Sequence, residues 1–238
     1  MILAVLQART SSSRLPGKVL MPLAGAPMIL RQVERVRRAR RLDRLVVATS
    51  TETSDDRLAD TLQADGVEVF RGPLDDVLAR FMGVLRACPA EHLVRLTGDC
   101  PLADPQIIDA TVARHLETGA DYTSNRVRER GYPKGQDVEV ITASALARAA
   151  AGAATPEERE HVTWGVWNHP DRYRISRLEP PRDEGDVRWT IDRPDDYAFV
   201  AAVYEALYPA RPDFTSDEVR AWVRAHPEWA RWGGDPRV

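Results

Sequence analysis

The feature that most constrains the fold is the regular alternation of apolar runs with amphipathic segments in the first half of the chain. Residues 2–8 (ILAVLQA) and 44–50 (RLVVATS) are predominantly apolar, which is typical of strands buried on both faces of a parallel sheet. Residues 27–40 place their apolar side chains on one stripe and their arginines on the other, which predicts a helix. The same pattern predicts strands at 67–72 and 92–97, and helices at 54–66, 73–87 and 104–119. We therefore expect an α/β fold, a mostly parallel central sheet with helices on both faces.

The second half of the chain departs from this rhythm between residues 121 and 181. We interpret residues 1–238 as a single domain in which 121–181 is an inserted region. Thr155 and Glu158 have the spacing of a helix capping box, with Pro156 at the first helical position. Further predictions are strand-like stretches at 132–142 and 173–180, a last strand and helix at 187–208, a helix at 215–227 and a loosely ordered tail at 228–238.

Composition excludes several classes of function. The formal net charge of −3 argues against a generally basic nucleic-acid-binding protein. No apolar run is long enough to span a membrane, and the first apolar run lacks the basic segment of a signal peptide. Cys88 and Cys100 form neither a metal-ligand spacing nor a disulfide framework. A reducing cytoplasm is the expected setting.

The opening loop, residues 9–18, follows the first strand and concentrates positive charge. It contains Arg9, Arg14 and Lys18 together with three consecutive serines. It matches neither the P-loop pattern nor the dinucleotide-binding pattern GxGxxG. Guanidinium groups bind phosphate oxygens through paired hydrogen bonds, so the loop indicates an anion site at the carboxyl edge of the sheet, where ligands bind in such folds. A solvated, exposed charged turn is the alternative.

Two aspartates follow predicted strands at the same edge. Asp99 lies in TGDCPL, and Asp192 precedes a helix that Pro194 opens. Mg²⁺ takes few protein oxygens and completes its coordination shell with phosphate oxygens and water. The two carboxylates therefore predict a Mg²⁺ site. Such carboxylates repel each other, so this hypothesis predicts that the metal-free protein gains stability when one is removed. The alternatives are a helix N-cap for Asp192 and a turn residue for Asp99.

Three segments carry a family resemblance. ARTSSSRLPGKVLMPLAGAPMI, TGDCPL and TIDRPDDYAFV resemble the signatures of the CMP-sugar synthetases, in particular those for 3-deoxy-manno-octulosonate and acylneuraminate. The whole chain is most similar to a cytidylyltransferase-like family named for spore-coat polysaccharide biosynthesis. The resemblance implies a Rossmann-like nucleotide-diphospho-sugar transferase fold. It also implies transfer of CMP from CTP to a small acidic sugar with release of pyrophosphate. The inserted region 121–181 is then expected to bind the acceptor and to form the contact of a homodimer.

The resemblance also implies roles for individual residues. The expected catalytic residues are Arg14, Lys18, Asp99 and Asp192, of which the two aspartates hold Mg²⁺. The expected nucleotide-binding residues are Ala8, Arg9, Ser11, Ser12, Ser13, Arg14, Lys18, Arg71, Asp75, Thr97 and Gly98. Cys100 stands where the octulosonate enzymes carry an acidic residue, and we interpret it as a small buried filler rather than a nucleophile.

The acceptor site is expected in GYPKGQDVE, residues 131–139, with His161 as a further contact. The expected acceptor-binding residues are Lys134, Gln136, Asp137, Glu139 and His161. A β-turn before a strand is the alternative for the segment, and a surface or packing histidine in the middle of a helix is the alternative for His161. Trp164 and Trp167 favour core or dimer packing over a sugar platform.

Two other functions fit the same fold. A nucleotide-sugar-dependent glycosyltransferase usually holds metal through a DxD motif, whereas this chain has adjacent acids in SDDR, LDDV and PDDY. A non-catalytic nucleotide-sensing module would lack one member of the set of cations and carboxylates, and none is missing.

Overall fold

A central sheet of seven strands organises the computed structural model, which describes residues 1–127 and 129–238. The strands of the sheet are β1 (Ile2–Gln7), β4 (Arg44–Ser50), β5 (Glu68–Gly72), β6 (His92–Thr97), β7 (Tyr122–Ser124), β8 (Glu139–Thr142) and β9 (Ile175–Arg177). Two small hairpins flank the sheet, β2 (Pro22–Leu23) with β3 (Ala26–Pro27), and β10 (Arg231–Trp232) with β11 (Asp235–Pro236).

The helices follow the strands through most of the chain. They are α1 (Met28–Val36), α2 (Asp56–Ala64), α3 (Val77–Ala87), α4 (Pro105–Thr118), α5 (Ala143–Gly152), α6 (Pro156–Glu160), α7 (Trp164–Trp167), α8 (Pro194–Leu207) and α9 (Ser216–Ala225). Single 3₁₀ turns lie at Lys18–Leu20, Thr53–Asp55 and Pro227–Trp229. Within the described residues, no helix has both the length and the apolar character needed to cross a membrane.

The strand order is β5-β4-β1-β6-β8-β7-β9. β5, β4, β1 and β6 run parallel, whereas β8 pairs antiparallel with both β6 and β7. β9 then pairs parallel with β7. The region 121–181 therefore contributes three strands to the same sheet.

The core lies on both faces of the sheet, and β1 shows why. Ala4 and Leu6 pack with residues of α1, α2, α4, α8 and α9, whereas Leu3 and Val5 pack with residues of α3, α5 and α7. Alternate side chains of a strand point to opposite faces, so a strand between two helical layers is apolar throughout. The predicted α/β fold with helices on both faces is confirmed.

Local signals predicted several elements well. The capping box of Thr155 and Glu158 is present, with Pro156 in the first turn of α6. Gly66, expected to close a helix, follows α2 with φ +67°. The helix expected from residue 73 begins at Val77, after Asp76, whose side chain accepts a hydrogen bond from the Ala79 N–H (2.8 Å).

Three predictions were wrong. Residues 187–192 form no strand of the sheet, because their amides bond to loop carbonyls: Trp189 N–H donates to Lys134 and Ile191 N–H to Asp99. The tail 228–238 is ordered, since it forms a 3₁₀ turn and the β10–β11 hairpin. His161 lies just beyond the end of α6 rather than in mid-helix.

A buried aspartate fixes the start of the opening loop to the end of β4. Asp55 Oδ1 accepts hydrogen bonds from both the backbone N–H and the hydroxyl of Thr10 (2.7 Å each), and Oδ2 accepts from the Ser50 N–H (3.2 Å). Asp55 is fully buried. Burial disfavours its charge, but the donors of Ser50 and Thr10 outweigh burial and hold the pKa of Asp55 below its usual value.

We predict that Asp55→Ala lowers the free energy of unfolding by about 3 kcal/mol at neutral pH, since it leaves buried donors without an acceptor. The Asp55 contribution is complete above the unfolded-state pKa of about 4 and is lost as pH falls through the lowered folded-state pKa. Urea unfolding of the variant and the wild type at several pH values measures both effects. Asp60→Ala, on the exposed face of α2, is the control. A difference that stays constant down to pH 2 would contradict the role of the Asp55 charge.

Candidate active site

The opening loop folds back on itself. The Thr10 carbonyl accepts hydrogen bonds from the N–H groups of both Ser12 and Gly17 (2.9 Å each). Gly17 has φ +72°, a left-handed conformation that suits glycine, and it directly precedes the 3₁₀ turn that begins at Lys18. This turn directs Lys18 inward beneath the loop.

Lys18 joins the two predicted carboxylates. Its Nζ lies 3.3 Å from Asp99 Oδ2 and 3.1 Å from Asp192 Oδ1, and it also donates to the Ile191 carbonyl. The Lys18 side chain is only 8% exposed, whereas that of Arg14 is 62% exposed. The alternative of a solvated, exposed charged turn is therefore wrong for Lys18, whose ammonium group lies between two carboxylates.

Asp192 lies at the centre of a cluster of cations. Its Oδ1 is 2.8 Å from Arg14 Nη2, and its Oδ2 is 2.9 Å from Arg188 Nη2 and 4.0 Å from Lys134 Nζ. Burial disfavours the ionised carboxylate, but Lys18, Arg188 and Arg14 outweigh burial and hold the pKa of Asp192 below its usual value. Asp192 is thus charged at neutral pH.

The ends of β1 and β6 bring Ala8 close to Gly98. The Gly98 N–H donates to the Gln7 carbonyl (2.7 Å), and a Cβ added at Gly98 would lie 2.8 Å from the Ala8 Cβ. Glycine is therefore required for the two strands to approach this closely. Asp99 follows at once and faces the opening loop.

A first cavity of about 240 Å³ lies between the opening loop and the ends of β1 and β6. Cations and hydroxyl groups dominate its walls, as an anion site requires. Its lining consists of Gln7, Ala8, Arg9, Ser12, Ser13, Arg14, Lys18, Val19, Val77, Arg80, Arg95, Thr97, Gly98, Asp99, Glu160, His161 and Asp192.

A second cavity of about 590 Å³ adjoins the first. Its lining consists of Arg14, Arg95, Thr97, Asp99, Cys100, Arg126, Lys134, Gly135, Asp137, Glu139, His161, Thr163, Trp164, Trp167, Thr190 and Asp192. The residues common to both cavities are Arg14, Arg95, Thr97, Asp99, His161 and Asp192. Three of the four expected catalytic residues thus lie at the junction, and Lys18 contacts two of them from the first cavity.

Two of the expected acceptor residues are engaged inside the protein. Both ends of the Gln136 side-chain amide bond to backbone groups, those of Leu102 (2.6 Å) and Asp104 (2.8 Å), and Gln136 does not line either cavity. Glu139 lines the second cavity, but Arg95, Tyr122 and Thr163 donate to its carboxylate.

Lys134 and Asp137 differ in how they face the second cavity. Lys134 presents a side chain that is 43% exposed. Asp137 also lines the second cavity, although its carboxylate pairs with Arg130 (3.1 Å). Lys134 is therefore the accessible cation of the predicted acceptor segment.

Three of the expected nucleotide-binding residues lie outside both cavities. Ser11 is exposed on the loop surface. The Arg71 guanidinium donates to the carbonyls of Ser50 (2.8 Å) and Glu52 (2.9 Å) and pairs with Asp56 (2.7 Å). Asp75 lines a separate cavity, which it shares with Arg9.

Several residues of the site were not predicted. Arg95 lies in β6, where it pairs with Glu139 and donates to Gln7 Oε1 (3.0 Å). Arg80 is buried in the wall of the first cavity and donates to the carbonyls of Pro73 and Leu74. A charged residue within an apolar run was the available signal for Arg95.

The tryptophans of α7 line the second cavity rather than packing wholly in the core. The ring centroids of Trp164 and Trp167 are 5.9 Å apart, and Trp167 is 37% exposed. Cys100 also lines this cavity, but burial, reinforced by the Asp99 carboxylate, raises the pKa of the thiol well above its ordinary value. The protonated thiol is consistent with a filler.

The donor set at the junction fits Mg²⁺. Asp99 and Asp192 both contact the Lys18 ammonium, so their oxygens face one point. Among the described residues, no three acidic, histidine or cysteine side chains come together as a metal cluster. A cation that takes most of its ligands from phosphate and water, as Mg²⁺ does, matches this arrangement.

We predict that Asp192→Asn lowers the stability of the metal-free protein by about 3 kcal/mol, because three cations would then surround a neutral group. This reverses the expectation from carboxylate repulsion, since Lys18 lies between the two acids. Asp99→Asn serves as the comparison. It removes one partly exposed contact, so we expect a loss of under about 1 kcal/mol. Thermal melts in a chelating buffer measure the stability of both variants. Equal losses of stability in the two variants, or a gain of stability in Asp192→Asn, would contradict the charge arrangement.

Comparisons with known proteins agree with this geometry. A sequence profile described as cytidylyltransferase matches residues 3–207. The spore coat polysaccharide biosynthesis protein SpsF of Bacillus subtilis (strain 168) is 36% identical over 236 residues, which cover 96% of each chain. A 3-deoxy-manno-octulosonate cytidylyltransferase of Anaeromyxobacter sp. (strain K) is 32% identical over 200 residues, 78% of this chain and 81% of the relative. A cytidylyltransferase structure from Leptospira borgpetersenii serovar Hardjo-bovis has a TM-score of 0.90 at 28% identity and covers 96% of this chain and 95% of that one. The chain therefore belongs to the cytidylyltransferase family.

Proposed function

We propose that this protein transfers CMP from CTP to a small acidic sugar or a related acidic acceptor, with release of pyrophosphate, in surface polysaccharide or glycoconjugate biosynthesis. The observation that carries this proposal is the junction of two cavities at Arg14, Asp99 and Asp192. Two substrates can bind on opposite sides of one charged centre. The names of the relatives above support CTP and a sugar acid as the substrate classes.

The first cavity suits the triphosphate. Arg9, Arg14 and Lys18 provide positive charge, and the hydroxyl groups of Ser12 and Ser13 provide donors. Charge-assisted hydrogen bonds to phosphate are among the strongest that side chains make. The opening loop therefore orients the nucleotide, with its α-phosphate directed toward Asp99 and Asp192.

The reaction requires a hydroxyl oxygen of the acceptor to attack the α-phosphorus. A bond forms between that oxygen and the α-phosphorus, and the bond from the α-phosphorus to the oxygen that bridges to the β-phosphate breaks. Pyrophosphate leaves with the electron pair, and the hydroxyl proton passes to solvent water. Negative charge grows on the phosphate oxygens during this step, and the fixed cations Arg14 and Lys18 stabilise it. Preorganised charge and alignment are thus the main contributions of the protein.

Mg²⁺, held by Asp99 and Asp192, would supply further stabilisation of this charge. Because Lys18 contacts both carboxylates, the ammonium group and the metal would share the same pair of acids. Lys18 thereby keeps the carboxylates together before any nucleotide arrives.

The second cavity suits an acidic acceptor. Lys134 and Arg126 offer positive charge to a carboxylate, and Trp164 and Trp167 form an apolar wall. The partly exposed Trp167 is also available for the homodimer contact expected of the region 121–181. We place the activity in the cytoplasm, where CTP is made.

We predict that pyrophosphate release depends on CTP, on Mg²⁺ and on an acidic sugar together. A screen of four nucleoside triphosphates against a panel of acidic and neutral sugars, with and without Mg²⁺, tests this. We expect the highest kcat/KM with CTP and an acidic sugar. Equal release with all four triphosphates, or transfer from a nucleotide-sugar instead, would contradict the proposed reaction.

We further predict that substitutions in the two cavities raise the KM of different substrates. Arg9 lines only the first of the two cavities and Lys134 only the second. Arg9→Met should raise the KM for CTP by about tenfold and leave that for the acceptor unchanged, whereas Lys134→Met should do the reverse, since one charge-assisted hydrogen bond contributes about 1.4 kcal/mol or more. Arg57→Met, on the exposed face of α2, is the control. If both variants raised the same KM, the assignment of the cavities would be wrong.

A further inference from the structure

The C-terminal hairpin inserts an arginine into the interior beside α8. Gly233 and Gly234 turn the chain with φ +61° and +85°, so that β11 returns along β10. Arg237, just beyond β11, has no exposed surface. A guanidinium group that is fully buried requires hydrogen-bond acceptors within the protein.

Arg237 finds those acceptors on two neighbouring segments. Its Nη2 donates to Asp196 Oδ1 (3.0 Å), and its Nη1 donates to the Arg188 carbonyl (2.6 Å). The Trp189 indole N–H in turn donates to the Arg237 carbonyl (2.8 Å). The guanidinium carbon lies 4.9 Å from the centre of the Phe199 ring. The hairpin is thus attached to both α8 and the segment 187–192.

Asp196, which is fully buried in the first turn of α8, connects Arg237 to the active site. Its carboxylate accepts from Arg188 Nε (2.8 Å) and Nη2 (2.7 Å), and also from the backbone N–H groups of Asp192 and Arg193 (3.0 Å each). Burial disfavours its charge, but Arg188, the Asp192 amide and Arg237 outweigh burial and keep the pKa of Asp196 well below its usual value. Asp196 therefore binds both the backbone N–H of Asp192 and Arg188, the arginine that contacts the Asp192 side chain.

Arg188 completes the connection. The same Nη2 that binds Asp196 lies 2.9 Å from Asp192 Oδ2. Arg188 thereby fixes Asp192 Oδ2, whereas Asp192 Oδ1 faces Lys18 and Arg14 at the junction of the two cavities. Asp192 has little freedom to rotate as long as Arg188 keeps this position.

We propose that Arg237 is a positioning residue for Asp192, acting through Asp196 and Arg188, so that the C-terminal hairpin is a part of the active site although it contacts neither cavity. The proposal rests on the role of Asp192 in the proposed function. Removal of the Arg237 charge leaves Arg188 as the main side-chain counter-ion of Asp196. Asp196 Oδ1 then loses its partner on the hairpin, so Asp196 can shift together with Arg188, which is bound to it through Nε and Nη2, and Asp192 loses its partner at Oδ2.

The test compares Arg237→Met and Arg237→Lys with Arg231→Met. Arg231 lies on the same hairpin, but it is exposed and donates to the Gly234 carbonyl. Hydrogen exchange of the amides of Asp192 and Arg193, which donate to Asp196, reports on position without any substrate. We expect exchange in Arg237→Met to rise by about tenfold or more, partial recovery in Arg237→Lys, and wild-type exchange in Arg231→Met.

Steady-state kinetics provide a second measurement, which a loss of stability alone does not change. We expect kcat/KM of Arg237→Met to fall by about a hundredfold, as for a small displacement of a reacting group. The loss should fall on kcat, while the KM for CTP stays near the wild-type value, because the opening-loop residues that line the first cavity are unchanged. Arg231→Met should keep both properties.

The outcomes separate this proposal from the proposed function. Unchanged exchange at residues 192 and 193 in Arg237→Met overturns the positioning role, whatever the activity. Raised exchange in a protein whose wild type releases no pyrophosphate supports the positioning and defeats the proposed reaction. If Arg237→Met does not fold, Arg237→Lys decides in the same way, and failure of both variants to fold overturns the proposal in favour of a purely structural arginine.

Discussion

The structure of the site depends on the neutralisation of one buried carboxylate, that of Asp192. An isolated charge in the interior is costly, and here the opening loop supplies Lys18 and Arg14 while the segment before α8 supplies Arg188. Lys18 is 174 residues from Asp192 in the sequence, whereas Arg188 is only 4 residues away. The charge arrangement therefore forms only when the opening loop and the segment before α8 have folded together.

Much of the fold follows from local sequence. The near-continuous apolar run of β1 and the capping box at Thr155 each specify their own structure through side-chain period and hydrogen bonding. Residues 187–192 have the same apolar pattern as a strand, but pattern alone does not say which carbonyls receive the backbone donors. The order of the tail was not predicted because it depends on long-range contacts, such as that of Arg237 with Asp196, 41 residues earlier in the chain, and that of Trp229 with Phe199.

The site was predictable to the extent that its residues lie in short motifs. Strand ends in a parallel sheet meet at one edge, which predicted that Lys18, after β1, would approach Asp99, after β6. Asp192 joins them as predicted, although residues 187–192 form no strand of the sheet. The partners of individual side chains were not predictable. The Gln136 side-chain amide is of a type that binds ligands, but here it forms its hydrogen bonds with backbone groups of a neighbouring loop. Long-range pairing of this kind leaves no periodic signal in the sequence.

The position of β8 has a consequence for how such a protein diversifies. β8 separates the parallel half of the sheet, β5-β4-β1-β6, from β7 and β9. The first cavity takes most of its lining from residues 7–99, whereas the second takes most of its lining from residues 100–192. Antiparallel pairing lets a strand be added to an existing edge without changing the register of the strands already there. Under the proposed function, substitutions in the lining of the second cavity therefore change which acceptor binds, while the lining of the first cavity, which is proposed to bind the nucleotide, need not change.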